Sequence, residues 1–76
     1  MSNEELIAIA PKANSLWKHT SGRIYEFLFL SNTDSININY PITAIYRNIA
    51  NDTIWSRPLN DWHRSMEWIA DAGDNT

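Results

Sequence analysis

Short apolar runs alternate along this chain with polar, turn-rich interruptions. The strongest run is Ile24 to Leu30, aromatic or aliphatic throughout apart from Glu26. Strict alternation puts Tyr25, Phe27 and Phe29 on one face of a strand and Ile24, Glu26, Leu28 and Leu30 on the other. Both faces are largely apolar, which predicts a central strand or a sheet curled around it. Leu16 to His19 is a shorter strand candidate, joined to the first by Thr20-Ser21-Gly22-Arg23, where Gly22 can supply a positive φ. Ile42 to Ile49 alternates again, with Ile42, Ala44 and Tyr46 set against Thr43, Ile45, Arg47 and Ile49. Ala50-Asn51-Asp52-Thr53 then reads as a hairpin turn, because Asn and Asp tolerate left-handed φ. Thr53 to Arg57 is the partner strand. Pro58 has no N–H for a ladder, so that strand ends there or lies at an edge.

Beyond Pro58 the period changes. Leu59, Trp62, Met66 and Ile69 follow a three–four spacing that predicts a helical stripe, with Asn60 as N-cap, Asp61 in the first turn and Gly73 past the end. Ser31 to Asn39 is polar and predicts an exposed loop. Residues 1–14 fit either one helical turn or a short edge strand, stopped by Pro11. Residues 71–76 predict a frayed tail. Together these elements imply one domain over residues 1–76. It is mainly β, a barrel or roll of four to five short antiparallel strands with a short C-terminal helical segment.

Seventy-six residues bury only roughly 60% of their unfolded surface, and the chain has no cysteine to reinforce them. Aromatic bulk is the available compensation, and Tyr25, Phe27, Tyr46, Trp55 and Trp62 form the expected core. Oligomerisation is the other remedy for a small core, so a homo-oligomer is an expectation. The net charge is −3 and the six basic residues are scattered. That argues against duplex DNA, which needs a basic face. No apolar run approaches the ~20 residues of a membrane span, and the start lacks a basic leader. A cytoplasmic protein follows, in which the Asn51-Asp52-Thr53 glycosylation match is chance. Ten isoleucines and nine asparagines suit an AT-rich, phage-like genome.

The order Trp17-Lys18-His19, Ser21-Gly22, Tyr25-Glu26, Asn32-x-Asp34-Ser35, Ile45-Tyr46-Arg47, Trp55-Ser56-Arg57-Pro58 and Trp62 resembles a short bacterial and phage family, domain-of-unknown-function family 1653. The match covers roughly residues 16 to 68, and Trp-x-Arg-Pro is its most specific element. The resemblance implies a compact SH3-like β-barrel and carries no activity across. Many members of that family have a glycine-containing turn and a strand after the aromatic at the Trp62 position. His63 to Trp68 here contains no glycine and reads as helix, so residues 65–69 stand between helix and strand.

Catalytic chemistry finds little footing. His19 and His63 lack metal-ligand spacing. Asp61, His63 and Ser65 cannot share one helix face, because only positions three or four apart are neighbours. Glu26, Glu67, Asp34, Asp52 and Asp61 are not placed in pairs by the sequence, and no glycine-rich phosphate loop exists. The expectation is no enzyme, no cofactor and no metal.

Binding residues are easier to nominate. Arg47 and Arg57 can approach across their hairpin as a forked anion clamp, since guanidinium matches phosphate and carboxylate bidentately. The structural alternative is that Arg57 bonds loop carbonyls or an acid such as Glu26 while its stem covers Trp55. Arg23 is a third cation. Trp17, Tyr40 and Trp68 are the aromatics expected to be exposed, as partner hot spots or stacking platforms. The leading expectation is a non-catalytic binding or interaction module, a phage-encoded accessory protein acting on a host factor. The alternatives are sequestration of a small anionic nucleotide signal in host defence, and single-stranded nucleic-acid binding.

Overall fold

The structure, a computed structural model, describes residues 2–73. Its elements are α1 (Asn3–Ala8), β1 (Leu16–His19), β2 (Ile24–Ser31), β3 (Thr43–Asn48), β4 (Ile54–Pro58), a 3-10 turn at Leu59–Asp61 and β5 (Met66–Ala70). The strands form one antiparallel sheet in the order β4-β3-β2-β1-β5. The first four strands are a meander, and the chain then crosses the inner face by the 3-10 turn to pair β5 with β1. This is the mainly β, SH3-like roll expected. β4 is an edge strand and ends at Pro58, where a missing N–H costs no ladder bond.

The helical stripe predicted from Leu59 stops after one 3-10 turn, and residues 66–70 are a strand. The three–four spacing of Leu59, Trp62 and Met66 is real burial, yet it arises from a loop folding over the core. The open edge of β1 then offers main-chain partners to Met66–Ala70, with Trp17 opposite Trp68 and His19 opposite Met66. A six-residue helix could not stand alone, and α1 is held from several sides. Ser2 and Glu5 make a reciprocal capping box, which satisfies two otherwise orphaned N–H groups. Leu6 and Ala10 pack on the core. His63 Nε2 lies 3.0 Å from the Ile9 carbonyl, and Asn3 Nδ2 donates to the Ser35 carbonyl.

The core is an aromatic nest. Trp62, with no exposed surface, meets Trp17, Phe27 and Tyr46 edge-to-face at centroid distances of 5.5, 5.7 and 5.1 Å. Such contacts add about 0.5–1.5 kcal/mol each beyond burial. Tyr25, Phe27, Tyr46 and Trp62 are therefore core, as expected. Trp55 is not: it is 53% exposed. Its register opposite Tyr46 turns it to the inner face, but the covering segment lays Trp62 inboard of the β4 edge. Its indole N–H is met by the Thr53 hydroxyl at 2.8 Å.

Phe29 also departs from simple alternation. Phe27 pairs with Tyr46, but Phe29 pairs with Ile45, so one extra residue, Leu28, is accommodated between them. The bulge moves Phe29 to the outer face, where it is exposed, and brings Leu30 opposite the buried Ala44. Of the tail expected at 71–76, Asp71 is tied down by Trp68 Nε1 and Lys12. Residues 74–76 lie outside the described residues.

Candidate functional site

Register decides the fate of the two central arginines. Arg47 pairs with Ile54, whereas Arg57 pairs with Ala44. Ala44 is fully buried on the inner face, and Arg47 stands three residues further along β3, on the opposite face. The two guanidiniums therefore do not converge into a clamp.

Each arginine has its own structural partners. On the outer face, Glu26 Oε1 accepts from Arg47 Nε and Nη2 at 3.1 and 2.8 Å, and Asp52 accepts from Nη1. Asn14 Nδ2 donates to the other Glu26 oxygen at 2.9 Å. Hydrogen bonds from Arg47 and then Asn14 hold the Glu26 carboxyl below its ordinary value of 4.5. On the inner side, Arg57 donates to Ser65 Oγ at 2.6 Å and to the Tyr46 hydroxyl at 3.2 Å, and its Cζ lies 5.6 Å from the Tyr46 ring centre. It also reaches the Asp61 carbonyl at 3.5 Å, so it clips β4 to the loop ahead of β5.

The acid–base groups are similarly committed. Asp61 receives Arg64 at 2.6 and 3.1 Å, which pulls its carboxyl below the usual range. The Ser65 hydroxyl serves Arg57, and His63 faces the Ile9 carbonyl, so Asp61, His63 and Ser65 make no relay. His19 Nδ1 lies 3.0 Å from the Ser21 backbone nitrogen and 2.9 Å from its hydroxyl, a local contact that caps the β1–β2 turn. His19 borders a shallow depression of about 360 Å³ with Lys18, His63 and Arg64. No group of three His, Asp or Glu side chains among the described residues could hold a metal ion. No helix among them is long and apolar enough to cross a membrane.

Of the aromatics expected at the surface, Trp68 and Tyr40 are exposed, at 52% and 63%. Trp17 is buried, because β5 and Trp62 close over it. Its indole N–H donates to the buried Ser15 hydroxyl at 2.8 Å. Arg23 is exposed at the β1–β2 turn. Among the described residues only Lys18 and Arg23, of the six basic side chains, have no acceptor.

The most exposed apolar groups lie elsewhere. Ile36 and Ile38, in the loop between β2 and β3, are 101% and 91% exposed, with Tyr40 following. The loop is shaped by its own polar groups. Ser35 Oγ accepts from Asn37 N, Asn37 Oδ1 accepts from Asn39 N, and Asn32 Nδ2 donates to the Pro41 carbonyl. Asn3 of α1 anchors it at Ser35. The isoleucines were not nominated from the sequence, although the period-two pattern Ile36-Asn37-Ile38-Asn39-Tyr40 was a signal for them. Comparison with known proteins finds no matching family model, curated protein or solved structure.

Proposed function

We propose that this chain is a non-catalytic interaction module that docks a protein partner through the loop between β2 and β3. The observation that carries this reading is the exposure of Ile36 and Ile38. Two nearly bare isoleucines and a tyrosine, on a loop pinned by side-chain hydrogen bonds, form an apolar projection of the kind that marks interaction sites. Asp34, Glu4 and Glu5 lie close by in sequence to the loop and to the helix that anchors it, and the chain is acidic overall. A partner with an apolar groove and a basic rim fits this surface. The committed hydrogen bonds of Asp61, His63 and Ser65 favour binding over catalysis.

The broader setting belongs to the same proposal: a cytoplasmic accessory protein of phage origin, related to domain-of-unknown-function family 1653, acting on a host factor. Its support is the ordered pattern from Trp17 to Trp62 and the composition. Nucleotide sequestration and single-strand binding draw less support. Arg47 and Arg57, the pair expected to grip phosphate together, are occupied and stand apart, which leaves Arg23 alone, and Trp55, Trp68 and Tyr40 do not form one stacking platform.

The test places a photo-crosslinking residue at position 38 and exposes the protein to host lysate, with light scattering of the pure protein alongside. One stoichiometric heterologous adduct, lost in the Ile36→Asp/Ile38→Asp variant at unchanged thermal stability, is the expected result. Adducts only between copies of this chain would replace the host partner with self-association. Equal labelling by the variant would end the reading.

A further inference from the structure

At the opposite end of β2 and β3 from that loop, the β1–β2 and β3–β4 turns flank a cleft of about 510 Å³. Its walls are aliphatic, from Ile24, Ile49 and Ala50, and Arg23 stands at its rim. No aromatic or acidic side chain lines it.

The open side-chain groups at the cleft have one character. Asn48, only 7% exposed, accepts the Ala50 N–H on Oδ1 at 2.9 Å, which fixes the amide orientation. Its Nδ2 has no partner. Asn51 repeats this arrangement, with Oδ1 engaged by Thr53 N and Oγ1 and Nδ2 unpartnered. The guanidinium of Arg23 is unpartnered as well. The main-chain carbonyls of Arg23, Ile24 and Asn48 are already taken by His19, Ile49 and Asp52 N–H groups. The side-chain groups left open are thus donors: two amide NH₂ groups and one guanidinium, beside an aliphatic wall. The nearest acid in sequence, Asp52, is occupied by Arg47.

We propose that this cleft binds a small aliphatic carboxylate. A carboxylate is acceptor-only and matches a guanidinium fork. A single cation suits one negative charge and not a polyphosphate. The aliphatic wall suits an alkyl body and offers no ring on which a nucleobase could stack. The volume falls within the range of small-molecule sites. The open Nδ2 groups of Asn48 and Asn51 add two neutral donors to the guanidinium at the same cleft. This inference is independent of the docking loop.

The experiment is an amide-resolved NMR titration of the whole chain with hexanoate, hexanol and adenosine monophosphate. Hexanoate is expected to bind saturably, at about millimolar strength for so small a ligand, shifting the amides of Gly22, Arg23 and residues 48–51. Replacing hexanoate by hexanol, or Arg23 by Gln, is expected to weaken binding at least tenfold. Lys18→Gln is expected to leave it unchanged. Arg23 is exposed and unpaired, so Arg23→Gln should retain the wild-type spectrum outside the two turns. Equal affinity for hexanol, equal affinity of Arg23→Gln, or shifts that fail to saturate or fall elsewhere would overturn the assignment. Tighter binding of the nucleotide than of hexanoate would overturn the aliphatic specificity.

Discussion

Arg47 grips Glu26 across the outer face through two hydrogen bonds to one carboxylate oxygen, at 2.8 and 3.1 Å. The contact joins β2 to β3 at directly opposed positions. Both side chains are mostly covered, so the pair escapes part of the solvent screening that weakens exposed ion pairs.

The pair makes stability depend on pH. Glu26 is held below its ordinary value of 4.5 in the folded chain, so its contribution is fully present above that value and fades as pH falls through the lower folded one. Glu26→Gln is expected to cost about 1 kcal/mol at pH 7. The difference from wild type should shrink progressively below about pH 4.5. Urea melts at pH 7, 5 and 3.5 read this directly. A pH-independent difference would show that the charge contributes nothing.

Arg57 links β4 to the segment that covers the core, through Ser65 and Tyr46. Ser65→Ala removes the 2.6 Å acceptor from a half-buried guanidinium and should cost about 1–2 kcal/mol. Arg57→Lys should not rescue the geometry, because an ammonium cannot meet both hydroxyls in the fixed orientation of the fork. Thermal melts of the two variants test this, with wild-type stability in Arg57→Lys as the contrary outcome.

The tryptophans divide sharply. Trp62→Ala empties the centre of the aromatic nest, and losses of this type run to about 3–5 kcal/mol. For a chain this small that is enough to abolish cooperative unfolding. Trp55→Ala, at the uncovered β4 edge, should cost less than about 1 kcal/mol. Calorimetric transitions of both proteins distinguish the two environments.

The β2 bulge makes a similar prediction for neighbours two residues apart. Phe27 is 3% exposed and Phe29 57%. Phe27→Ala is expected to cost about 3–5 kcal/mol, and Phe29→Thr less than about 1 kcal/mol. Were the two equally damaging in denaturant melts, strict alternation through Leu28 would be the correct register.

Local sequence determined much of the sheet. The runs at Leu16–His19, Ile24–Ser31, Thr43–Asn48 and Ile54–Pro58 carry β-forming side chains between turn formers, and Pro58 can only close an edge. Tyr25, Phe27, Tyr46 and Trp62 belong to the core because their bulk is needed there. What periodicity leaves open is which face each residue occupies and what then covers it. A single bulge at Leu28 turns Phe29 outward, and register separates Arg47 from Arg57. The free edge of β1 draws Met66–Ala70 into a strand despite its helical spacing. Trp17 is buried and Trp55 exposed because the covering segment reaches one and stops short of the other. These outcomes depend on contacts between residues far apart in the chain, so only the tertiary structure decided them.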